Sequence, residues 1–394
     1  MTTALTPAIW LIVLLVGLPQ LSETVYTPSL PEIAIALVAS PTLVEYTLTI
    51  FLFGFALGML LWGRLSDYYG RKPCALAGLM IFIIGSVGCY LASSIEMLMV
   101  SRFIQAIGGS GGSILGQAIS RDAFRGPALG KIYSTIGSAL TLFPALGPLI
   151  GGFIAQHYGW QNIFLVLSVF AFLLFIAVAW RLPETHAVAA RIPQPLWLLT
   201  KRLAKDKKVV SLALIIGALN GISFSYFAEG SFYLIKLLGL TPTEYGLTFM
   251  ATAASAMVGG IFSRFLHNKY SSVQILRLGI YIILMGASLS SMFVLNTLWF
   301  SLSSAFLITV IVIAQMIIMF GICMAMSNAL ALSLSDYTDC AGTASSLFGL
   351  FYYALIGFFT LGMGALHNGT LFPMPFYFLG ISLFILILGR SLKI

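Results

Sequence analysis

The chain is a series of long apolar segments separated by short polar ones. Most segments approach or exceed the ~20 residues that an α-helix needs to cross about 30 Å of hydrocarbon. They are uniformly apolar rather than alternating, which favours helices over the strands of a membrane barrel. Twelve spans are predicted, at about residues 8–30, 43–62, 74–93, 97–119, 132–155, 161–180, 209–236, 245–265, 273–294, 299–330, 343–366 and 371–389. The pattern therefore predicts an all-α membrane protein with twelve transmembrane helices.

Composition and charge distribution support a membrane protein. The 394 residues are 59% hydrophobic and 8% charged, whereas a soluble domain carries about 25% charged residues. If the N-terminus is cytoplasmic, every Lys and Arg except Arg102 and Lys236 falls in a cytoplasmic loop or tail, as the positive-inside rule requires. This rule accounts for the net charge of +8 without a nucleic-acid partner. The predicted location is the bacterial inner membrane, with both termini cytoplasmic.

A polar stretch divides the chain near its middle. Residues 183–208 follow the sixth predicted span and contain a basic run suited to the lipid surface. The predicted organisation is an N-terminal six-helix bundle (1–182), a cytoplasmic linker (183–208) and a C-terminal six-helix bundle (209–394). Residues 263–270 weakly repeat the pattern of residues 63–72. Such duplication is typical of transporters whose substrate site lies between two halves.

Three charged residues interrupt the apolar segments: Glu23, Arg102 and Glu229. Each costs about 2.5–3.5 kcal/mol at bilayer depth, so they predict movement of protons or ions. Polar residues in the same segments are candidates for a substrate cavity: Tyr26, Gln105, Asn220, Tyr226, Gln315 and Asn328. For those after residue 209, interhelical hydrogen bonding is the alternative. Tyr226 and Glu229 are three residues apart and are expected to share a helix face.

Three motifs carry further information. The first is a predicted short cytoplasmic loop, in which glycines allow sharp turning: Gly63, Asp67, Gly70, Arg71 and Lys72. The second is the glycine-rich run Gly108–Gly112, which follows an apolar helix and lacks the Lys of a phosphate loop. It therefore predicts close helix packing. The third predicts a kinked, closely packed helix: Pro144, Gly147, Pro148, Gly151 and Gly152.

These motifs resemble the signatures of the major facilitator superfamily. The first is similar to G-x-L-x-D-x-x-G-R-K between spans two and three, with six matches. Arg102 and Gln105 match R-x-x-Q-G-x-G in part, with Ala106 at the first Gly position. The third resembles the G-P-x-x-G-G signature of the antiporter branches. Shorter matches resemble the Bcr/CflA-type drug:proton antiporters: Tyr26–Pro31, Arg121-Asp122 and Pro183–Thr185.

The resemblance implies a major facilitator fold and a monomeric antiporter. It would export an amphipathic, cationic or neutral small molecule in exchange for protons. Arg102 would take part in proton coupling, or else serve only as a structural charge. The first motif together with Arg121 and Asp122 would latch the cytoplasmic side, with an Arg71–Asp122 ion pair expected in the outward-facing state.

One departure from the Bcr/CflA pattern concerns the first span. The group has an Asp where this chain has Thr24, and Glu23 stands one residue earlier. One residue rotates a side chain by about 100° around a helix. Either Glu23 replaces the family acid from a different face, or coupling here is unlike the family's.

Other functions remain as alternatives. A metabolite or siderophore carrier of the same fold, including an importer, is the first of them. An enzyme or a receptor is not expected, because no span combines a nucleophile with a base and no soluble domain is evident. The four cysteines and four histidines have no metal-ligand spacing, so the sequence predicts no cofactor, metal or disulfide.

Overall fold

A computed structural model describes residues 7–186, 196–334, 336–337 and 341–391. Residues 187–195 of the predicted linker lie outside these ranges, as do the two chain ends. All regular secondary structure in the described ranges is helical. The predicted all-α class is therefore confirmed.

Fourteen α-helices are described, and two short irregular helices accompany them. The helices are α1 (Ile9–Thr24), α2 (Leu30–Ala36), α3 (Pro41–Tyr69), α4 (Arg71–Tyr90), α5 (Ile95–Ala123), α6 (Gly126–Tyr158), α7 (Gln161–Arg181), α8 (Leu196–Lys205), α9 (Lys207–Ser231), α10 (Pro242–Leu266), α11 (Ser272–Asn296), α12 (Ser304–Ser333), α13 (Ala341–Leu366) and α14 (Pro373–Ser391). A 3₁₀ turn (Thr27–Ser29) joins α1 to α2, and a π-helical turn (Phe232–Leu237) continues α9.

Eleven helical segments in the described ranges are long and apolar enough to cross a membrane, with α1 and α2 counted as one. The fourth predicted span corresponds to α5, which has 29 residues but is less apolar. It carries buried Arg102 and many glycines and serines, and it packs between α3 and α4. Its low hydropathy therefore reflects polar and small residues that face other helices.

Two predicted boundaries need correction. The connection within residues 63–72 is even shorter than predicted, because α3 continues to Tyr69 and α4 starts at Arg71. Only Gly70 connects them, with a φ of 106° that favours glycine. The first predicted span is also interrupted after Thr24, where Pro28 in the 3₁₀ turn lacks an N–H for a continuous helix.

The glycines of α5 allow close packing, as the sequence predicted. A Cβ at Gly108 would collide with the backbone of Phe82 in α4. A Cβ at Gly112 would overlap the carbonyl oxygen of Leu15 in α1, and one at Gly116 would meet Val16. The run is therefore a packing surface for two neighbouring helices.

The helices α1–α7, here called the N-terminal helices, meet the C-terminal helices α9–α14 along two main seams. In one seam α3 packs against α13, and in the other α6 packs against α10. The second seam includes close backbone contacts: a Cβ at Gly152 would overlap the carbonyl oxygen of Pro242, and one at Gly246 would lie 2.5 Å from that of Pro148. The Thr243 hydroxyl also donates to Gln156 Oε1 across it at 2.6 Å. We call the end of the bundle near Gly70 the inner end and the opposite end the outer end. The α6–α10 seam therefore brings both sets of helices together at the outer end.

Candidate functional site

Arg102 lies at the centre of the N-terminal helices and is completely buried. Its Nη1 donates to Gln105 Oε1 at 2.6 Å and to the Ser22 carbonyl oxygen in α1 at 3.3 Å. Its guanidinium carbon lies 4.1 Å from the ring centroids of both Tyr26 and Phe51, within the range of a cation–π interaction. Arg102 therefore contacts the end of α1, in the first membrane-spanning segment.

A chain of hydrogen bonds holds this arginine in place. Gln105 Nε2 donates to Ser86 Oγ at 2.8 Å, and the Ser86 hydroxyl donates to a carbonyl oxygen of α4. The Tyr26 hydroxyl is hydrogen-bonded to Thr47 Oγ1 of α3 at 3.0 Å. Gln105 and Tyr26 thus position Arg102, whereas the sequence predicted both as substrate contacts. Nε and Nη2 of Arg102 have no hydrogen-bond partner, so the guanidinium keeps capacity for an acceptor.

Glu23 is the second charged group at the centre. Only 1% of the residue is exposed, and its Oε1 has no hydrogen-bond partner. Its carboxyl group lies within electrostatic range of the hydroxyls of Tyr352 and Tyr353 in α13 and of the Arg102 guanidinium. A buried carboxylate of this kind must take a proton or receive a cation. Glu23 is therefore a buried carboxylate with unused hydrogen-bonding capacity near the boundary between the N-terminal and C-terminal helices.

Thr24, at the position of the family acid, has different neighbours. Its Oγ1 lies where a Cβ of Gly147 in α6 would be, and a Cβ at Gly151 would overlap the carbonyl oxygen of Val25. The Pro-Gly motif of α6 thus packs closely on the end of α1. Thr24 is held in this contact, whereas Glu23 lies within electrostatic range of Tyr352 and Tyr353 in α13, so the two positions have different neighbours. An acid at position 24 would not have the surroundings that Glu23 has.

Aromatic rings connect Arg102 to the C-terminal helices. From Phe51, beside the guanidinium, the contacts pass to Phe55 at 6.2 Å, to Tyr353 at 4.6 Å and on to Tyr352 at 5.0 Å between ring centroids. We call these four residues the aromatic row. None of the four was predicted as a site residue from the sequence, although two adjacent tyrosines inside an apolar segment were a usable signal. The row joins α3 to α13 beside Glu23.

The polar candidates of the C-terminal helices are dispersed. Asn220 Nδ2 donates to a carbonyl oxygen of its own helix and to Met326 Sδ at 3.3 Å. Tyr226 contacts Thr248 Oγ1 of α10 at 3.5 Å, and Asn328 donates to Ser263 Oγ of the same helix at 3.0 Å. The buried Gln315 has an unpartnered Nε2. For Tyr226 and Asn328 the geometry is that of interhelical hydrogen bonding, the alternative left open by the sequence.

A cluster of titratable side chains lies at the outer end. The Nδ1 of His367, which follows α13, is 2.8 Å from Glu229 Oε2 and 3.3 Å from Glu45 Oε1. Hydrogen bonds to Glu229 and Glu45 raise the pKa of His367 to about 10. Glu229 thus contacts His367, while Tyr226 contacts α10. The two side chains, which were expected to share a helix face, therefore have different partners. The sequence missed Glu45 and His367, which stand near span ends and far apart in sequence.

The inner end carries the motif around Arg71. Arg71 Nε is 2.8 Å from Asp122 Oδ2, and its Nη1 is 2.6 Å from Asp67 Oδ1. The carboxylate of Glu184, beyond α7, accepts the backbone N–H groups of Arg71 and Lys72 and so caps α4. The ion pair was expected in the outward-facing state, yet it is formed here while the outer ends touch. Asp67, Arg71 and Asp122 all belong to the N-terminal helices, and their ion pairs join α3, α4 and α5.

The fold and the buried central charges define a multi-span membrane transporter. The family model "Major Facilitator Superfamily" matches residues 12–361. An uncharacterised transporter of Rickettsia felis is 34% identical over 380 residues, which cover 95% of this chain and 93% of the relative. The chain belongs to the major facilitator superfamily.

Two further comparisons refine this assignment. A bicyclomycin resistance protein homolog of Haemophilus influenzae is 30% identical over 365 residues, covering 91% of this chain and 89% of the relative. The crystal structure of a D-xylose–proton symporter superposes with a TM-score of 0.76 at 16% identity, covering 96% of each chain. The first agrees with the resemblance to Bcr/CflA-type proteins, and the second shows the shared fold. The superfamily consists of transporters and not of enzymes, as the sequence predicted.

Proposed function

We propose that this protein is a proton-coupled antiporter that exports amphipathic small molecules across the bacterial inner membrane. The observation that carries the proposal is Glu23, a carboxylate buried at the boundary between the N-terminal and C-terminal helices with an unpartnered oxygen. Buried ionisable groups in transmembrane helices mark ion and proton pathways. The bicyclomycin-resistance name of a relative supports a drug-like substrate.

Proton exchange follows from the charges around Glu23. When Glu23 is ionised, it offers a negative charge to a cationic group of the substrate or to the unpartnered nitrogens of Arg102. A proton arriving from outside neutralises the carboxylate and removes that attraction, so the substrate leaves. After the protein opens inward, a new substrate favours loss of the proton to the cytoplasm. Substrate and proton thus bind the same group alternately, which gives exchange in opposite directions.

The aromatic row indicates the kind of substrate. Phe51, Phe55, Tyr352 and Tyr353 present ring faces beside a carboxylate. Aromatic faces bind flat apolar groups and, through their quadrupoles, organic cations. We infer that the substrates are aromatic or cationic amphipathic compounds rather than strongly hydrated sugars.

The remaining parts of the proposal concern arrangement in the membrane. Residues 1–182 and 209–394 would form two halves that rock about the central site, joined by the linker at 183–208. The inner end would face the cytoplasm, as the Lys and Arg distribution predicts. The transporter would act as a monomer, with the small molecule, protons and lipid as its partners.

Glu23→Gln tests the proposal. In proteoliposomes, transport of a panel of dyes and antibiotics driven by a pH gradient should be lost, and cationic substrates should quench tryptophan fluorescence more weakly, because the neutral Gln lacks the negative charge of Glu23. Glu96→Gln, at an exposed carboxylate in the first turn of α5, is the matched control and should transport normally. Unchanged gradient-driven transport by Glu23→Gln would remove Glu23 from the mechanism. Uptake of a metabolite or siderophore instead of drug export would favour the carrier alternative.

A further inference from the structure

The cluster at the outer end is built from three distant parts of the chain. Glu45 lies in the first turns of α3, Glu229 near the end of α9, and His367 just beyond α13. One atom from each residue, Glu45 and Glu229 oxygens and a His367 nitrogen, lies within 4.8 Å of the other two. Glu45 belongs to the N-terminal helices, and the other two residues to the C-terminal helices. The cluster therefore crosses the boundary that must open for exchange with the outside.

The hydrogen bonding of the cluster is incomplete. Glu45 is completely buried; its Oε1 lies 3.3 Å from His367 Nδ1, and its Oε2 has no hydrogen-bond partner. Leaving a buried acceptor unsatisfied costs about 1–3 kcal/mol, and more for a charged group. Two carboxylates facing one imidazolium also leave one negative charge uncompensated. Both features call for a further positive ligand between the three side chains.

We propose that Glu45, Glu229 and His367 form a binding site for a divalent transition-metal ion of the Zn²⁺ type. The two carboxylates carry a total charge of −2, which balances the charge of Zn²⁺. The imidazole must be neutral to bind the metal, so metal binding releases the imidazole proton. Oxygen and nitrogen ligands of Zn²⁺ bind at about 2.0–2.2 Å, so tetrahedral ligands stand roughly 3.3 Å apart. The observed separations of 2.8 and 3.3 Å from His367 Nδ1 are close to that spacing.

The surroundings favour a small transition metal over other cations. The imidazole ring is held edge-on by Phe232, with 5.4 Å between ring centroids, which fixes the direction of its nitrogens. Mg²⁺ and Ca²⁺ prefer all-oxygen ligand sets, whereas imidazole suits Zn²⁺. The His367 side chain remains 10% exposed, so an ion can enter from the outer end and keep one water as a fourth ligand.

Bound metal would tie the two sets of helices together. Glu45 would be linked through the ion to Glu229 and His367, so separation of the outer ends would break a metal–ligand bond. The site would therefore hold the outer side closed and inhibit exchange. The binding proposal stands on the cluster alone, whereas the inhibition rests on the proposed function.

Metal binding is tested on the purified full-length protein carrying a tag without histidines. Titration calorimetry and thermal unfolding with ZnCl₂ should show one saturable, EDTA-reversible site that stabilises the fold, with no response to Mg²⁺ or Ca²⁺ at the same concentration. His367→Lys keeps a cation between the carboxylates but cannot ligate the metal at neutral pH. Because losing even a supporting residue costs about 10–100-fold in metal affinity, this variant should bind Zn²⁺ at least ~100-fold more weakly.

Two further variants make the result decisive. His157→Gln removes an exposed histidine at the same end, at the end of α6, and should leave Zn²⁺ binding unchanged. His367→Cys replaces one zinc ligand by another and should retain binding. Equal Zn²⁺ affinity in wild type and His367→Lys, or no saturable site in wild type, would overturn the proposal. In proteoliposomes Zn²⁺ on the outer side should inhibit wild type but not His367→Lys, and loss of transport in Glu23→Gln tests the antiport function separately.

Discussion

Gly151→Ala is a sensitive test of the contact between α6 and α1. A Cβ at Gly151 would overlap the carbonyl oxygen of Val25, and a backbone oxygen cannot rotate away as a side chain can. Overpacking of this kind costs about 1–3 kcal/mol, and the alanine returns about 1 kcal/mol through its higher helix propensity. Because the obstacle is a backbone atom, we take the overpacking cost at the upper end of its range. The net loss in the free energy of unfolding is then about 2 kcal/mol.

The same substitution should also change transport. The contact with α6 positions the end of α1, and Glu23 is only two residues from Val25. Gradient-driven transport should therefore fall although no polar or charged group has been removed. Thermal unfolding in detergent and proteoliposome transport measure the two effects. Gly380→Ala on the exposed face of α14, where a Cβ meets nothing within 4 Å, is the control. Wild-type stability and transport in Gly151→Ala would refute the packing argument.

Three further predictions concern Arg102 and the inner end. Arg102→Lys keeps the charge but loses the planar guanidinium between two rings, so it should reduce coupled transport about tenfold or more with a smaller effect on unfolding temperature. Arg71→Ala leaves Asp122 and Asp67 without their cation and should cost about 2 kcal/mol, less than a fully buried pair because Asp122 is partly exposed. Glu184→Ala removes the cap of α4 and should cost about 1 kcal/mol by denaturant or thermal unfolding. Wild-type values in any of the three would contradict the contact concerned.

Local features of the fold could be read from the sequence because they depend on neighbouring residues. The helices follow from apolar runs, and the role of Gly108–Gly112 follows from small residues at helical spacing. The motif at residues 63–72 shows the limit of this reasoning. Both of its glycines were predicted to turn a short connection, but Gly63 lies within α3 and only Gly70 turns the chain. A glycine in a membrane helix can instead allow close packing against a neighbouring helix.

The candidate site was only partly predictable, since its contacts join distant parts of the chain. Glu23 and Arg102 stood out because charge inside an apolar segment is expensive. Glu45 did not stand out, because it lies only four residues after Pro41. A charged residue so close to the start of a span is normally part of its polar boundary. Its proximity to Glu229 and His367 arises from the packing of α3 against α13, which no spacing in the sequence reports. The different neighbours of Glu23 and Thr24 likewise depend on α6 and α13.

The seam between α6 and α10 has a consequence for the speed of the transport cycle. Its contacts pair Gly152 with the Pro242 carbonyl and Gly246 with the Pro148 carbonyl, a reciprocal arrangement in which each helix offers a glycine to the other's proline. Rotamer freedom is lost when side chains become fixed, and glycine has none to lose. These contacts can therefore form and separate without ordering or releasing side chains. At these two points, separation of α6 from α10 in the proposed transport cycle would carry little entropic cost.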